Sequence, residues 1–460
     1  MRRDRNTSCG LETTVLRTSD LDYDLPQRLI ATVPAEPREA ARLMVVDRAS
    51  GTIREHASVR DLPSFLVPGD LMVFNATRVL RARFVGTRVD TGGSVEGLYL
   101  GPADQGLWRV LLRAKRPREG RRIRIQGRDH AEQIELELVA PGVEAGEWIV
   151  RPLDALGNPV LEPAALVLER IGLTPLPPYI LKARQVPMPL SPEGSASIAG
   201  GEAPGSVAQR DSTPEGSAKG GSSVNGGPLR GPTGQCVLPG AAPPAIDVQA
   251  SGLEGNEGID RRELELRLTD DLDRLRYQTV YAQAGASGSV AAPTAGLHFT
   301  AQMLGQLDAM GVGRAEVVLH VGTGTFRTVE TEFVEQHPMH EEWCSMSAAA
   351  IAAVVRAKAQ GRRVVAVGTT AARTLEAYAE HLAATGQSPE FLSTRILITP
   401  GRPWRWVDGL LTNFHLPRST LMAMVAALLP GEVPTLKALY AQAIAREYRF
   451  YSFGDAMLVL

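Results

Sequence analysis

Between Ala76 and Pro152 apolar and polar residues alternate in short runs: RARFVGTRV, VEGLYLG, LWRVLLRAK, RRIRIQG, IELELVA and GEWIVRP, separated by Gly, Pro and Asp turns. Alternation at this spacing predicts a small antiparallel barrel or sandwich rather than βαβ units. The flanking sequence is patterned differently. RLMVVDR and GTIREH predict two strands about a turn at Ala49 to Gly51, and VPGDLMVFN predicts a strongly apolar strand. DYDLPQRLI predicts a short helix opened near Pro26, and Arg38 and Arg42, four apart, would share an outward helix face as solvated or carboxylate-paired side chains. Ala164 to Ile171 predicts a short helix and TPLPPYI a stiff extended segment. Farther on, RRELELRLTDDLDRLRYQTVYA reads as a charged helix and AAAIAAVVRAKAQG as an amphipathic helix stopped at Gly361. VVAVGTTAARTLEAYAEHL and LLTNFHLPRSTLMAMVAALL each read as strand, turn and helix. Strands alternating with helices imply a parallel arrangement with ligands at the carboxyl ends of strands. The expected class is α/β: a mixed, largely parallel sheet domain over 21–75 and 153–460, with an inserted small antiparallel β-barrel domain over 76–152.

Two segments fall outside this plan. Residues 185–258 are Gly, Ser, Ala and Pro with almost no aromatic or β-branched content, a composition that buries too little surface to offset its ordering entropy. They are expected to be a disordered insertion. Residues 1–20 carry charge without an apolar h-region and read as a disordered lead-in rather than a secretion signal. At 460 residues the chain is too long for one core. A net charge of −2 makes no global case for nucleic acid, so RNA binding would have to come from a local patch. Cys9, Cys236 and Cys344 match no metal or disulfide spacing, as suits a reducing cytosol. No apolar run approaches the roughly 18 residues of a membrane span, so a cytoplasmic protein with no membrane partner, acting as a monomer, is expected.

The candidate chemistry concentrates between Ser289 and Trp343, where His298, His320, His337 and His340 accompany a Gly-rich turn and several Thr hydroxyls. Gly and Thr bury little apolar surface, so this density is not what a core needs. Three junctions after strands carry polar residues. In HVGTGTF, Gly322 and Gly324 allow close backbone approach beside Thr325; in VGTTAAR, Thr369 and Thr370 open a helix whose free N–H groups favour an anion. In TNFHLPRST, Asn413 and His415 follow a strand and Ser419 is placed to cap the next helix. With Thr294, Gly296 and Arg373 these describe one polar cleft. Singly each is weak, since G-T-G-T lacks the spacing of a dinucleotide fingerprint or a P-loop. His337 and His340, at i and i+3, would share a helical face as metal ligands can, but no HExxH accompanies them, so no metal is expected and proton transfer is the better role. The densest positive run, Arg113 to Arg124, includes Arg113, Lys115, Arg116, Arg118 and Arg121. It suits a phosphate backbone or, equally, a charged edge that blocks aggregation.

Across YDLPQRLIATVPAEPREAARLMVVDR, FNATRVLRARF, PLPPYI, YQTVYAQ, SVAAPTAGLHFT, HVGTGTF, HPMHEEW, VVAVGTTAARTLE, TNFHLPRSTLMAMVAAL and YRFYSFGDAMLVL, the chain resembles the S-adenosylmethionine:tRNA ribosyltransferase-isomerase family of queuosine biosynthesis. The resemblance covers nearly everything outside the first twenty residues and the Gly/Ser segment, where family members generally have a short connector. It implies an α/β domain with an inserted barrel. It also implies transfer of the ribosyl part of S-adenosylmethionine onto 7-aminomethyl-7-deazaguanine at the wobble position of tRNA, giving epoxyqueuosine and releasing adenine and methionine. No cofactor is implied, because the sulfonium co-substrate is consumed and carries its own activation. Three proton transfers are needed, for which His298, His320, His337, His340 and His415 are candidates. Thr369, Thr370 and Arg373 would take the donor carboxylate or a tRNA phosphate, and the basic run the tRNA backbone. A metal-dependent hydrolase and a non-catalytic RNA-binding module are the competing readings.

Overall fold

The computed structural model describes residues 15–127, 132–185, 261–283, 287–320 and 329–460. In chain order the strands are β1 (Arg42–Val46), β2 (Ile53–Ser58), β3 (Leu71–Asn75), β4 (Arg78–Val79), β5 (Arg83–Arg88), β6 (Ser94–Pro102), β7 (Trp108–Arg113), β8 (Arg122–Gln126), β9 (Gln133–Pro141), β10 (Glu147–Leu153), β11 (Ser287–Ser289), β12 (Gly313–Leu319), β13 (Glu342–Met346), β14 (Val364–Val367), β15 (Phe391–Thr394), β16 (Gly409–Asn413) and β17 (Ala456–Val459). The helices are α1 (Ala164–Ile171), α2 (Pro178–Gln185), α3 (Arg261–Arg276), α4 (Ala301–Ala309), α5 (Ala348–Ala359), α6 (Thr369–Thr385), α7 (Thr420–Ala426) and α8 (Glu432–Ala445).

Strands that alternate and strands that do not go to different places. The six alternating runs become the six strands of a closed barrel in the order β10-β7-β6-β5-β8-β9, with every pairing antiparallel. On β8, Ile123 and Ile125 point inward while Arg122, Arg124 and Gln126 face solvent. The continuously apolar strands form the middle of a nine-stranded sheet, ordered β15-β13-β12-β3-β14-β16-β17-β1-β2 among the described residues. Strands β12, β3, β14 and β16 are mutually parallel, so their carboxyl ends share one edge. The flanks mix directions: β13, β15, β17 and β2 each run antiparallel to an inner neighbour, while β1 runs parallel to β17.

Central strands are covered on both faces and need apolar residues at every position. Leu71 and Val73 of β3 meet Val354 of α5 and Leu375 of α6, while Met72 and Phe74 meet Phe299 and, on α4, Met303 and Leu307. Ser347 caps α5 through Ala350 N–H, and Gly361 follows its end at φ +65°. α6 ends at Gly386 in the left-handed conformation, a helix stop that glycine adopts without strain.

The end of β3 is fixed by one side chain. Asn75 is fully buried; its Oδ1 accepts the N–H of Leu319 (3.3 Å) and of Thr77 (3.2 Å), and its Nδ2 donates to Thr370 Oγ1 (3.1 Å) and Leu319 O (3.4 Å). It thereby joins the ends of β3 and β12 to the first turn of α6. At the neck where the chain enters and leaves the barrel, Arg83 N–H donates to Leu173 O (3.2 Å) and Leu173 N–H to Arg83 O (2.6 Å).

Three expectations need correction. Arg38 and Arg42 share no helix: Arg38 lies in a short 3-10 turn after Pro37, and Arg42 opens β1, which must be extended to pair with β17. Arg38 donates to the carbonyls of Leu275, in the last turn of α3, and of Gln278 (2.8 Å), while the Arg42 guanidinium lies 3.9 Å over the Tyr448 ring. TPLPPYI is not extended throughout, because Pro178 occupies the first position of α2, where its missing N–H is not needed. Of the lead-in expected to be disordered, residues 15–20 are built into the fold. Thr18 donates its N–H to Glu332 O (2.9 Å) and its hydroxyl to Thr331 O (2.7 Å). Residues 1–14, and the Gly/Ser segment beyond Gln185, lie outside the described residues.

Replacing Asn75 by Ala would take from the buried Thr77 amide the one acceptor it has among the described residues, and from the Thr370 hydroxyl the donor that Asn75 supplies. Denaturant unfolding is expected to show a loss of about 2–4 kcal/mol, and unchanged stability would refute the role given to this side chain.

Candidate active site

At the carboxyl ends of β14 and β16 a cleft opens, lined by Thr294, Thr369, Thr370, Asn413, His415 and Ser419 together with Tyr179, Phe414 and Tyr451. Each polar residue is placed by a distinct local device. Gly368, at φ +89°, turns the chain from β14 into α6, a conformation that residues with a Cβ rarely adopt. Thr294 opens a 3-10 turn over Thr294–His298 and donates its hydroxyl to Asn413 Oδ1 (3.0 Å). Asn413 ends β16 and is 3% exposed. Ser419 accepts the Met422 amide (3.3 Å) as the cap of α7, as its position before that helix implies.

His415 is held by its neighbours. Phe414 is fully buried among Tyr440, Tyr448 and Phe450, with ring centroids 5.0–5.5 Å away. The His415 amide donates to Tyr440 Oη (3.0 Å), and its carbonyl accepts from Tyr23 Oη. The ring Nε2 lies 2.9 Å from Thr412 Oγ1. The ring is partly exposed, yet the apolar wall behind it lowers its pKa to about 4, so it is neutral at pH 7.

The other histidines do not join it. His298 is buried in the wall behind the cleft, with Nδ1 3.0 Å from Ala295 O and Nε2 3.0 Å from Gly454 O, which leaves neither ring nitrogen free for a substrate proton. Burial lowers its pKa, against the pull of the two carbonyls. His320 ends up beside Gly288, its pKa likewise lowered by burial. His337 follows a 3-10 turn over Val334–Gln336 and precedes Pro338, so it shares no helix face with His340. His340 Nδ1 instead reaches Glu144 Oε1 in the barrel, at 2.8 Å. The expected cluster of five imidazoles is therefore not assembled in the cleft, because closeness in sequence placed them on separate turns.

Other expected site residues divide similarly. Gly296 is a packing glycine: a Cβ there would stand 1.8 Å from the Tyr281 hydroxyl. Arg373 lies one turn below the cleft, 3% exposed and paired with the buried Glu342. Gly322, Gly324 and Thr325 lie outside the described residues. Among the described residues no group of three His, Cys, Asp or Glu is placed to hold a metal ion. On the barrel, Arg113 lies near Glu96 (3.8 Å) and Arg121 near Asp90 (3.2 Å), whereas Lys115, Arg116 and Arg118 are exposed with no carboxylate partner among the described residues. Sequence reasoning missed Tyr179 and Tyr451, whose rings meet edge to face at 4.8 Å, and Ser452, whose amide donates to Tyr179 Oη (2.8 Å). They sit in PLPPYI and YRFYSFGD, which carry no polar junction to mark them.

The depressed pKa of His415 has a sign that can be tested. As pH falls below the ordinary value of about 6.5, the unfolded chain takes up a proton that the folded chain refuses, so this stability is complete above that pH and lost between about 6.5 and 4. Unfolding free energies at pH 7 and pH 5 are expected to differ less in His415→Gln than in the wild type, by on the order of 1–2 kcal/mol. Identical slopes would contradict it.

A family model described as "Queuosine biosynthesis protein" matches residues 18–208 and 257–459. An S-adenosylmethionine:tRNA ribosyltransferase-isomerase of Symbiobacterium thermophilum is 39% identical over 446 residues, covering 97% of this chain and 100% of the relative. Enzymes of the same name from an Anaeromyxobacter species and from Gloeobacter violaceus are 38% and 37% identical, with 96% of this chain covered in each case and 99% and 96% of the relative. A crystal structure of an S-adenosylmethionine tRNA ribosyltransferase from Thermotoga maritima aligns over 96% of this chain and 100% of its own, at 25% identity and a TM-score of 0.42. By the length and degree of these matches, the chain belongs to the queuosine biosynthesis family of S-adenosylmethionine:tRNA ribosyltransferase-isomerases.

Proposed function

We propose that this protein transfers and isomerises the ribosyl moiety of S-adenosylmethionine onto 7-aminomethyl-7-deazaguanine at the wobble position of tRNA, giving epoxyqueuosine and releasing adenine and methionine. The observation that carries this reading is the family match along nearly the whole chain, joined to a cleft whose lining suits a sulfonium donor. Among the described residues no Asp, Glu, Lys or Arg lines that cleft; its walls carry hydroxyls, an amide, an imidazole and aromatic rings. A positive sulphur is attracted to aromatic faces, here those of Tyr179 and Tyr451. It also acidifies the adjacent ribose hydrogens, which a neutral imidazole can take up, and His415 is neutral at the working pH. The tRNA backbone is met by the exposed Lys115, Arg116 and Arg118 on the β7–β8 loop of the barrel. The donor is consumed and no cofactor enters the reaction. The enzyme acts in the cytoplasm as a monomer. No described helix is long and apolar enough to cross a membrane.

Incubation with S-adenosylmethionine and precursor-bearing tRNA is expected to release free adenine, and its absence would overturn the reading. His415→Gln is expected to lower kcat by roughly 10²- to 10⁴-fold, the range of a lost general base. Neutralising Lys115, Arg116 and Arg118 together is expected to flatten the salt dependence of tRNA binding by about one logarithmic slope unit per lost phosphate contact. An unchanged slope would remove the loop from the interface.

A further inference from the structure

One end of the cleft offers hydrogen-bond donors and little else. α6 is 17 residues long, starts at the cleft wall, has no side-chain cap at Gly368 and no acidic residue in its first turn. Its first intrahelical bond runs from Ala372 N–H to Gly368 O (3.2 Å), so the amides of Thr369, Thr370 and Ala371 precede it. The Thr370 hydroxyl is engaged by Asn75 rather than by these amides. Independently, Asn413 lines the same cleft at 3% exposure with its Oδ1 taken by the Thr294 hydroxyl and its Nδ2 without a partner among the described residues. A buried amide N–H left unpaired costs about 1–3 kcal/mol, and such groups are rare unless something else satisfies them.

We propose that Asn413 Nδ2 and the amino-terminal amides of α6 form a carboxylate-binding site that anchors the methionine end of the donor. The inference rests on the reading of this cleft as the donor site and adds which end of the donor lies where. A carboxylate fits better than a phosphate. A phosphate, including the singly charged diester of a tRNA backbone, is usually met by Arg or Lys, and among the described residues none lines the cleft; the charge of the nearby Arg373, one turn below, is balanced by Glu342. A single negative charge is matched by neutral donors and the positive end of a helix dipole. With the carboxylate so fixed, the sulfonium is left to the aromatic part of the lining, and the Thr294 hydroxyl serves as the positioning group that turns Nδ2 toward the ligand.

The test compares kcat/KM for adenine release, with precursor tRNA, from S-adenosylmethionine and from its decarboxylated analogue. The wild type is expected to favour the full donor about 10- to 100-fold, the worth of a charge-assisted hydrogen bond. Asn413→Asp, which places a like charge against the carboxylate, is expected to weaken the full donor alone, through KM, and bring the two substrates to near parity. Thr294→Val keeps the amide but frees its orientation and is expected to narrow the preference in the same direction, which preserves the test should Asn413→Asp fold poorly. Equal loss toward both substrates, or a wild type indifferent to the carboxylate, overturns the anchor while leaving the function standing. A weakened tRNA affinity with unaltered donor KM assigns the anion to a tRNA phosphate and also overturns it. No adenine from either substrate would instead overturn the functional reading.

Discussion

The cleft exists because four adjacent strands run the same way. Parallel β12, β3, β14 and β16 must deliver their carboxyl ends to one edge, and whatever follows each strand starts from there. Parallel pairing demands burial of both faces, which fixes the composition of β3 and β14 and leaves the remaining work to the residue at or just past the end of each strand. Asn75, Gly368 and Asn413 occupy those positions. Asn75 uses its whole amide to bind the edge together, whereas Asn413 uses only half of its own. The same residue type at equivalent ends of two strands thus serves structure in one place and leaves capacity for a ligand in the other.

Charge is kept out of the cleft by pairing it elsewhere. Arg373 and Glu342 neutralise each other one turn below, and Asp22 pairs with Arg418 beside the loop that carries His415. Glu376, buried farther along α6, accepts the amides of Arg405, Trp406 and Val407 at 2.9 Å each. The result is a lining in which hydroxyls, an amide and an imidazole act without a neighbouring full charge. That setting keeps His415 unprotonated and allows weak dipoles to matter, because polar interactions strengthen where water and ions are scarce.

Much of this was legible in residue order, and the parts that were not share a cause. Barrel strands and central strands announce themselves by the presence or absence of alternation, as RRIRIQG and LMVFN show, and the ends of α5 and α7 follow from Ser347, Gly361 and Ser419. Thr294, Thr369, Thr370, Asn413, His415 and Ser419 do meet in one cleft. The failures are inferences that took sequence spacing for spatial arrangement. His337 and His340 are separated by a proline that denies them a common helix, and Arg38 and Arg42 straddle the change from a 3-10 turn to a strand. Tyr179 and Tyr451 come together from residues far apart in the chain, through tertiary packing that no local pattern encodes.

The neck of the barrel has a consequence for how such a protein can diverge. Reciprocal hydrogen bonds between Arg83 and Leu173 clamp the outgoing and returning chain side by side, so the body meets the same two anchored ends whatever hangs between them. Lengthening a barrel loop that does not touch the body, unlike the one whose Glu144 meets His340, then burdens the rest of the molecule through a closure entropy that grows only with the logarithm of its length. The barrel can drift in contour and charge at such loops while the cleft at the carboxyl ends of β14 and β16 stays unaltered.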